Sequence, residues 1–158
     1  MSVKRWHRSG WWGMILVLAA CGGTDGGTDV VEPPEVQPFV GFWEAEELTI
    51  TLDADTTVVF DLFDYNGRFT FRVEPSGTYT ASLSFEPDST NFFASSEVGR
   101  IAVSGGFLTL RPTGGAPATS EYTFLAEDRL RIEGPTEFDF NFDQEGDPAR
   151  LRAVLQRQ

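Results

Sequence analysis

The sequence predicts an all-β fold, an up-and-down antiparallel β-barrel of about eight to ten strands, with a β-sandwich as the alternative. Apolar and polar residues alternate with period two along most of residues 39–158, as in strands with one buried face. Turn signals separate these runs, and no stretch of the region has helical spacing. Strands joined in this number by hairpins form a meander, which closes naturally into a barrel.

The alternating runs predict the strands in order. In the first strand Trp43 and Ala45 share one face, whereas Leu48 and Ile50 fall on the opposite parity. This change of phase predicts a bulge or bend near Glu46-Glu47, where a small barrel turns a corner. Later strands are indicated by alternating residues within 57–65, 68–74, 79–85, 101–103, 108–110, 122–124, 130–132, 138–142 and 149–155.

Turn residues lie between these runs. Asn66-Gly67 is the strongest signal and predicts a two-residue type I′ hairpin between strands near 57–65 and 68–74. Weaker turn signals occur at Ser76-Gly77, Gly105-Gly106, Glu127-Asp128 and Gly134-Pro135. The longest gaps between runs, 86–97 and 113–119, predict loops at a barrel mouth.

The first 38 residues differ in composition from the rest of the chain. Residues 1–8 are basic and 11–20 are apolar, which fits a signal peptide and is too short for a spanning helix of ~20 residues. A Gly-rich repeat and then three prolines follow, which is typical of a tether. The predicted organisation is a signal peptide at 1–20, a tether at 21–38 and one β-domain at 39–158.

The end of the signal segment, Leu18-Ala19-Ala20-Cys21, resembles the lipobox of bacterial lipoproteins. The resemblance implies that Cys21 is acylated, becomes the first residue of the mature chain and anchors it to the cell envelope. Two or more acyl chains give firm membrane attachment. Gly22 rather than Asp after the cysteine implies the outer membrane, facing the periplasm. The alternative is an ordinary signal peptide followed by an unpaired cysteine.

Composition argues against several classes of function. The only His and the only Lys lie within the first eight residues, and the only Cys is Cys21. The β-domain therefore lacks the residues for Ser-His-Asp, Cys-His or Schiff-base catalysis, and we expect no enzyme and no cofactor. Beyond residue 20, nine arginines stand against 24 acidic residues, a formal charge of −15. This charge argues against nucleic acid and anionic membrane surfaces as direct partners.

The opening of the β-domain, Gly41-Phe42-Trp43, resembles the G-x-W signature of lipocalins and other calycins. With the lipobox, it makes the chain similar to bacterial lipocalin-like lipoproteins. The resemblance implies that Trp43 plugs the closed end of the barrel, that Gly41 permits close backbone approach, and that a late arginine packs over the indole. The arginines in the right neighbourhood are Arg150, Arg152 and Arg157.

The barrel interior is the candidate binding site, either open to a small apolar ligand or filled as a solid core. Its candidate lining residues are Trp43, Phe60, Phe69, Phe71, Tyr79, Phe85, Tyr122 and Phe124. Three functions remain open: binding or carrying a small apolar molecule, acting as a structural or protein-interaction scaffold, and inhibiting exported proteases through the loop at 86–97.

Acidic residues offer a second candidate site. If their strand continues, one face opposite Phe138, Phe140 and Phe142 carries Asp139, Asn141, Asp143, Glu145 and Asp147. Such oxygen ligands suit Ca²⁺, but Gln144 and Arg150 stand where an EF-hand needs Gly and a bidentate Glu. We therefore interpret the stripe, like the acidic cluster 44–47, as a solvated surface without metal. Among 24 acidic residues, spacing selects no carboxylate pair for glycoside hydrolysis.

Overall fold

Eight antiparallel strands close into a barrel in the computed structural model, which describes residues 35–88, 90–140 and 145–158. Each strand pairs with its neighbours in turn, and the first strand also pairs with the last. This closure confirms the up-and-down barrel and rules out the sandwich. The predicted signal peptide and all but the end of the predicted tether lie outside the described residues.

The described chain contains nine strands and two short 3-10 helices. The strands are β1 (Gly41–Leu52), β2 (Val59–Asp61), β3 (Arg68–Val73), β4 (Thr78–Asp88), β5 (Asn91–Ser104), β6 (Phe107–Pro112), β7 (Ala118–Ala126), β8 (Arg129–Phe138) and β9 (Asp147–Arg157). The 3-10 helices are Gln37–Phe39 and Leu62–Tyr65. Neither is long and apolar enough to cross a membrane, nor is any other helix in the described ranges.

The second wall of the barrel is one strand in two pieces. β2 pairs with β1 at Ile50↔Phe60, and β3 pairs with the same edge of β1 at Trp43↔Phe71. Both run antiparallel to β1, so the chain reverses at residues 53–58 and continues in one direction through 62–67. β2 and β3 together occupy one position in an eight-stranded barrel.

The hairpin predicted at Asn66-Gly67 is therefore wrong. Asn66 is left-handed (φ 53°) and ends the second 3-10 helix, while the Gly67 N–H donates to the Leu62 carbonyl at 2.7 Å. A left-handed Asn followed by Gly also satisfies a helix C-terminus, so the local signal does not distinguish the two uses. The two-residue turn with positive φ at both positions lies instead at Gly105-Gly106, with φ values of 58° and 86°.

Two further turn and loop predictions are wrong. Most of the gap at 86–97 belongs to β4 and β5, whose pairing continues beyond Phe85↔Phe93. Gly134-Pro135 lies inside β8 rather than at a turn. Beyond Glu133, β8 pairs only with β9, which is where a strand tolerates proline. A Cβ at Gly134 would overlap the Ser120 side chain, so glycine is needed for close packing there.

The predicted bulge in β1 is confirmed, because its register with β9 shifts between Ala45 and Glu47. The shift keeps Trp43, Ala45, Leu48 and Ile50 all buried on the inner face. The core also includes Val36, which is 2% exposed and lies within the stretch assigned to the tether.

Candidate functional site

One end of the barrel, which we call the sealed end, is closed by the 3-10 helix Gln37–Phe39, Trp43 and Arg157. Trp43 is fully buried, and its indole N–H donates to the Phe39 carbonyl at 2.7 Å. The Phe39 ring is 1% exposed and meets Tyr122 edge-on, with 4.9 Å between ring centroids. Proline at the start of this helix presets its backbone φ. The segment that leads into β1 therefore closes this end of the barrel.

Arg157 covers the Trp43 ring. Its Cζ lies 4.4 Å from the indole centroid, a cation–π distance, and its Nη2 donates to the Pro38 carbonyl at 2.6 Å. Arg157 is the register partner of Trp43, which explains why it, and not Arg150 or Arg152, packs on the indole. Its buried Nε has no hydrogen-bond partner among the described residues. The contact with the ring offsets part of that desolvation.

Gly41 permits this arrangement. Its φ of 139° is one that residues with a Cβ rarely adopt, whereas a Cβ there would meet Cδ and Cγ of Arg157 at 3.6 Å, an ordinary contact distance. Outside the plug is a solvent-open depression of about 410 Å³, lined by Gln37, Pro38, Phe124, Glu127 and Arg157. Mixed polar and apolar lining in an open depression suits a surface groove better than a ligand cavity.

The opposite end of the barrel, which we call the aromatic end, holds six contiguous rings: Phe60, Tyr65, Phe85, Phe93, Phe138 and Phe140. Tyr65 stacks on Phe60 at 4.1 Å between centroids, and Phe138 lies 5.0 Å from Phe60. Phe93 lies 4.9 Å from Phe85, which itself meets Phe138 at 5.9 Å. These spacings are those of attractive aromatic pairs.

The rings of the aromatic end differ in exposure. Phe85 is 5% exposed, whereas Phe93 is 39% exposed and the other four are half-buried. They come from β2, β4 and β5, from the end of β8 and the residues just after it, and from the second 3-10 helix, so they sit at the mouth rather than the middle of the barrel. The result is an apolar surface that is preformed and reachable from solvent.

Acidic residues surround this mouth. Strand ends and turns on this side carry Asp53, Asp55, Asp61, Asp64, Glu86, Glu137, Asp139, Glu145 and Asp147, which outnumber the described arginines near the same strand ends, such as Arg111 and Arg150. The Asp55 carboxylate accepts hydrogen bonds from the Thr57 hydroxyl and N–H, which hold its pKa below the usual range. Asp55 therefore keeps its negative charge at neutral pH.

All eight interior residues predicted from the sequence lie on the inward parity of their strands. Trp43, Phe71 and Tyr79 are at most 1% exposed and belong to the packed core. Only Phe60 and Phe85 take part in the ring cluster of the aromatic end. Whether any of the eight contacts a ligand stays a prediction.

Sequence reasoning missed four residues of the aromatic end, namely Tyr65, Phe93, Phe138 and Phe140. Phe138 and Phe140 were part of an alternating run, but alternation gives the face of a strand and not its height in the barrel. Phe93 was assigned to a loop, and Tyr65 to a strand that is a 3-10 helix. Their common signal is position: each follows or precedes a turn on the same side of the sheet.

Tyr79 joins the core to the polar part of β5. Its hydroxyl donates to Oε1 of Glu97 at 2.8 Å. Burial raises the pKa of Tyr79 well above its usual range, and the hydrogen bond and negative charge of Glu97 raise it further. The hydrogen bond ties the start of β4 to β5.

The acidic stripe is not the single outer face that alternation predicted. Asp147 is the register partner of Phe138 and therefore shares its inward face, because β8 ends at Phe138 and the chain turns before β9. Asn141 and Asp143 lie outside the described residues. Among the residues that are described, no three His, Cys, Asp or Glu side chains converge as metal ligands.

The fold and its two ends define the protein as a closed, eight-stranded antiparallel β-barrel. No protein-family model matches the chain, and no curated protein does. Among solved structures, a redesigned β-barrel is similar at 14% sequence identity, with a TM-score of 0.45, over 78% of this chain and 95% of that one.

Proposed function

We propose that this protein is a non-enzymatic, lipid-anchored protein of the bacterial envelope that binds a small apolar molecule at the aromatic end. The ring cluster at the mouth of the barrel carries the proposal, because it is preformed, apolar and partly exposed. Arg157 over Trp43 supports the likeness to lipocalins that the G-x-W motif suggested. Acylation of Cys21 and placement at the outer membrane, facing the periplasm, rest on the lipobox resemblance.

The acidic rim narrows the chemistry of the ligand. A fatty-acid carboxylate would meet carboxylates such as Asp61, Glu86 and Asp147 at a rim where acidic residues outnumber arginines, which is repulsive. A neutral or cationic apolar molecule meets no such repulsion, and a cation also gains from the faces of the rings. The proposed ligand is therefore an apolar molecule that is neutral or cationic.

The tether and the proposed site lie at opposite ends. The chain joins the barrel at the sealed end through residues 37–40, whereas the rings open on the other side. A protein held by Cys21 can thus keep its binding mouth turned away from its own membrane, with the 14 residues from Gly22 to Glu35 giving roughly 19–22 Å of reach.

Binding is tested with the neutral apolar dye N-phenyl-1-naphthylamine and the purified full-length chain. We expect the dye to brighten on addition of protein and Phe93→Ala to weaken its binding roughly five- to thirty-fold, equivalent to about 1–2 kcal/mol of lost apolar contact. Phe42→Ala is the matched control, since Phe42 is 40% exposed but lies at the sealed end. Trp43 emission is a poor reporter here, because Trp43 is buried at the sealed end.

Competition distinguishes the ligand classes. We expect a long-chain alkylammonium or a neutral long-chain alcohol to displace the dye and a fatty acid of the same length to do so more weakly. Equal displacement by all three would contradict the proposal that the acidic rim disfavours anionic ligands. Failure of the wild-type chain to brighten the dye, or equal loss with Phe93→Ala and Phe42→Ala, would contradict the proposed site itself.

A second candidate, a protein-interaction scaffold, is favoured by the hairpin of β4 and β5. These strands extend past the region where β5 pairs with β6, so the segment at 86–97 projects as a hairpin and not as the loop first assigned to protease inhibition. Affinity capture from the native cell, with the wild-type chain and a Phe92→Ser variant, tests it. Identical recovered proteins from both would count against a role for this hairpin.

A further inference from the structure

The first half of β5 has one unpaired edge. β5 pairs with β4 along most of its length, but β6 pairs only with the stretch from Gly99 to Ser104. Between Phe92 and Glu97, no backbone partner among the described residues lies on the β6 side. The Val98 carbonyl accepts from the Thr113 N–H at 2.8 Å on that side. By alternation, Phe92, Ala94 and Ser96 direct their N–H and C=O groups to this edge.

This edge carries few features that block pairing with another strand. Natural edges are protected by Lys, Pro, bulges or covering segments. From Phe92 to Val98 there is no basic residue and no proline, and the one charged residue, Glu97, accepts the hydrogen bond from Tyr79. The edge is six residues long from Phe92 to Glu97, enough for a stable ladder.

The exposed apolar side chains along the edge are placed symmetrically. Phe92 and Val98 lie on the outer face and are 68% and 50% exposed, and each is three residues from Ser95. Two antiparallel copies centred on Ser95 would therefore set each Phe92 beside the partner's Val98. Such cross-strand apolar pairs stabilise a sheet.

We propose that a second copy of this chain pairs with this edge, forming an antiparallel β5–β5 dimer about a two-fold axis at Ser95. In that register Ala94 of one copy and the partner's Ser96 exchange hydrogen bonds, and the two Ser95 residues form a close non-hydrogen-bonded pair. The mouth of each barrel keeps its own rings, so the dimer does not depend on the proposed ligand. The formal charge of −15 beyond residue 20 opposes association, so added salt should tighten the dimer.

Disulfide trapping tests the register. We expect full-length Ser95→Cys to form a covalent dimer under mild oxidation, because non-hydrogen-bonded neighbours bring Cβ atoms within about 4.5–5.5 Å. Ser104→Cys is the control: the same change, on the same strand and exposed, but outside the free edge. The cross-linked fraction should exceed the control on the order of tenfold, since paired thiols have a high effective concentration. The wild-type chain gives the baseline from Cys21.

Ala94→Pro tests the hydrogen bonding without disturbing the β4 ladder. Its N–H points to the free edge, so proline removes an intermolecular donor and leaves the pairing with β4 intact. We expect sedimentation equilibrium in density-matched detergent to give a dimer for the wild type and a monomer for Ala94→Pro, with unchanged circular dichroism.

Three results with the purified protein would overturn the proposal. The first is equal cross-linking of Ser95→Cys and Ser104→Cys. The second is a monomeric wild type in 0.5 M salt at a protein concentration on the order of 100 μM, where edge pairing with a Kd in the micromolar range would be saturated. The third is a dimer that persists in Ala94→Pro. Cross-linking of Ser95→Cys to a different protein in the native cell, in place of a second copy, would assign the edge to a heterologous strand and equally exclude the homodimer.

Discussion

The two ends of the barrel are built from the same kind of side chain and differ in what covers them. At the sealed end, Phe39 and Trp43 are 1% and 0% exposed because the entering chain and Arg157 lie over them. At the aromatic end, Phe60 is half-buried and Phe93 is 39% exposed, with no covering segment among the described residues. Aromatic rings thus belong to the core at one end and form an accessible apolar surface at the other. The difference is whether a segment of the chain covers them.

The largest expected effect comes from truncating a ring at each end. Trp43→Ala should lower the free energy of unfolding by about 3–5 kcal/mol, since it removes a fully buried ring together with the hydrogen bond to Phe39. Phe60→Ala, at the half-buried end, should cost about half as much, in line with the smaller area it removes from contact. Urea unfolding followed by far-UV circular dichroism measures both.

Circular dichroism is the right probe because Trp43 is the only Trp beyond residue 12, and Trp43→Ala leaves the β-domain without Trp fluorescence. Phe107→Ala, which removes a 47% exposed ring on the outer face, serves as the control and should cost well under 1 kcal/mol. Equal losses for Trp43→Ala and Phe60→Ala would mean that the aromatic end is as well covered as the sealed end.

The sequence predicted the barrel wall better than its two ends, and the reason is physical. Period-two alternation reports which face of a strand is buried, so the inward residues of β3, β4, β7 and β9 followed directly. It does not report height along the barrel axis, so it did not separate fully buried Phe71 from half-buried Phe60. Residues 36–38, which begin the segment that closes one end, were assigned to the tether, because no alternation around Pro38 indicates that Val36 belongs to the core.

The misplaced hairpin has a related cause. Asn66-Gly67 satisfies the backbone of a type I′ turn and of a helix C-terminus equally well, and only long-range pairing decides between them. Here β2 and β3 both pair with the same edge of β1, so they cannot pair with each other as a hairpin. Gly105-Gly106, a weaker signal, forms the tight turn because β5 and β6 meet there in register.

Removing the Arg157 guanidinium from the sealed end should lower the free energy of unfolding by an intermediate amount. Arg157→Met keeps an aliphatic stem over the indole but loses the cation and the 2.6 Å hydrogen bond to the Pro38 carbonyl. We expect a loss of about 1–2 kcal/mol in the free energy of unfolding. Trp43 emission should also shift to longer wavelength, as water reaches the ring. Urea unfolding of the chain without residues 1–20, in which Trp43 is the only Trp, gives both quantities by fluorescence.

Arg150→Met is the matched control for this cover. Arg150 lies on the same strand but is exposed on the outer face, near the aromatic end, so its loss should change stability by less than about 0.5 kcal/mol and leave Trp43 emission unmoved. If Arg157→Met and Arg150→Met change the free energy of unfolding and the Trp43 emission equally, the sealed end is held by Phe39 and Val36 without a contribution from Arg157.

The smallest expected effect, and the one that depends on pH, concerns Tyr79, which anchors β5 between the two ends. Tyr79→Phe should cost about 1 kcal/mol at pH 8 through loss of the hydrogen bond to Glu97. Because burial and Glu97 raise the pKa of Tyr79, its folded form keeps the proton while an unfolded tyrosine ionises near pH 10. The stabilisation by Tyr79 is therefore complete below about pH 10 and declines above it.

Urea unfolding of wild type and Tyr79→Phe at pH 8 and pH 11 should show the gap between their free energies of unfolding narrowing or reversing at the higher pH. A gap of constant size would mean that the phenol ionises as easily in the folded protein, and that the interior beside Glu97 is as open to water as the aromatic end.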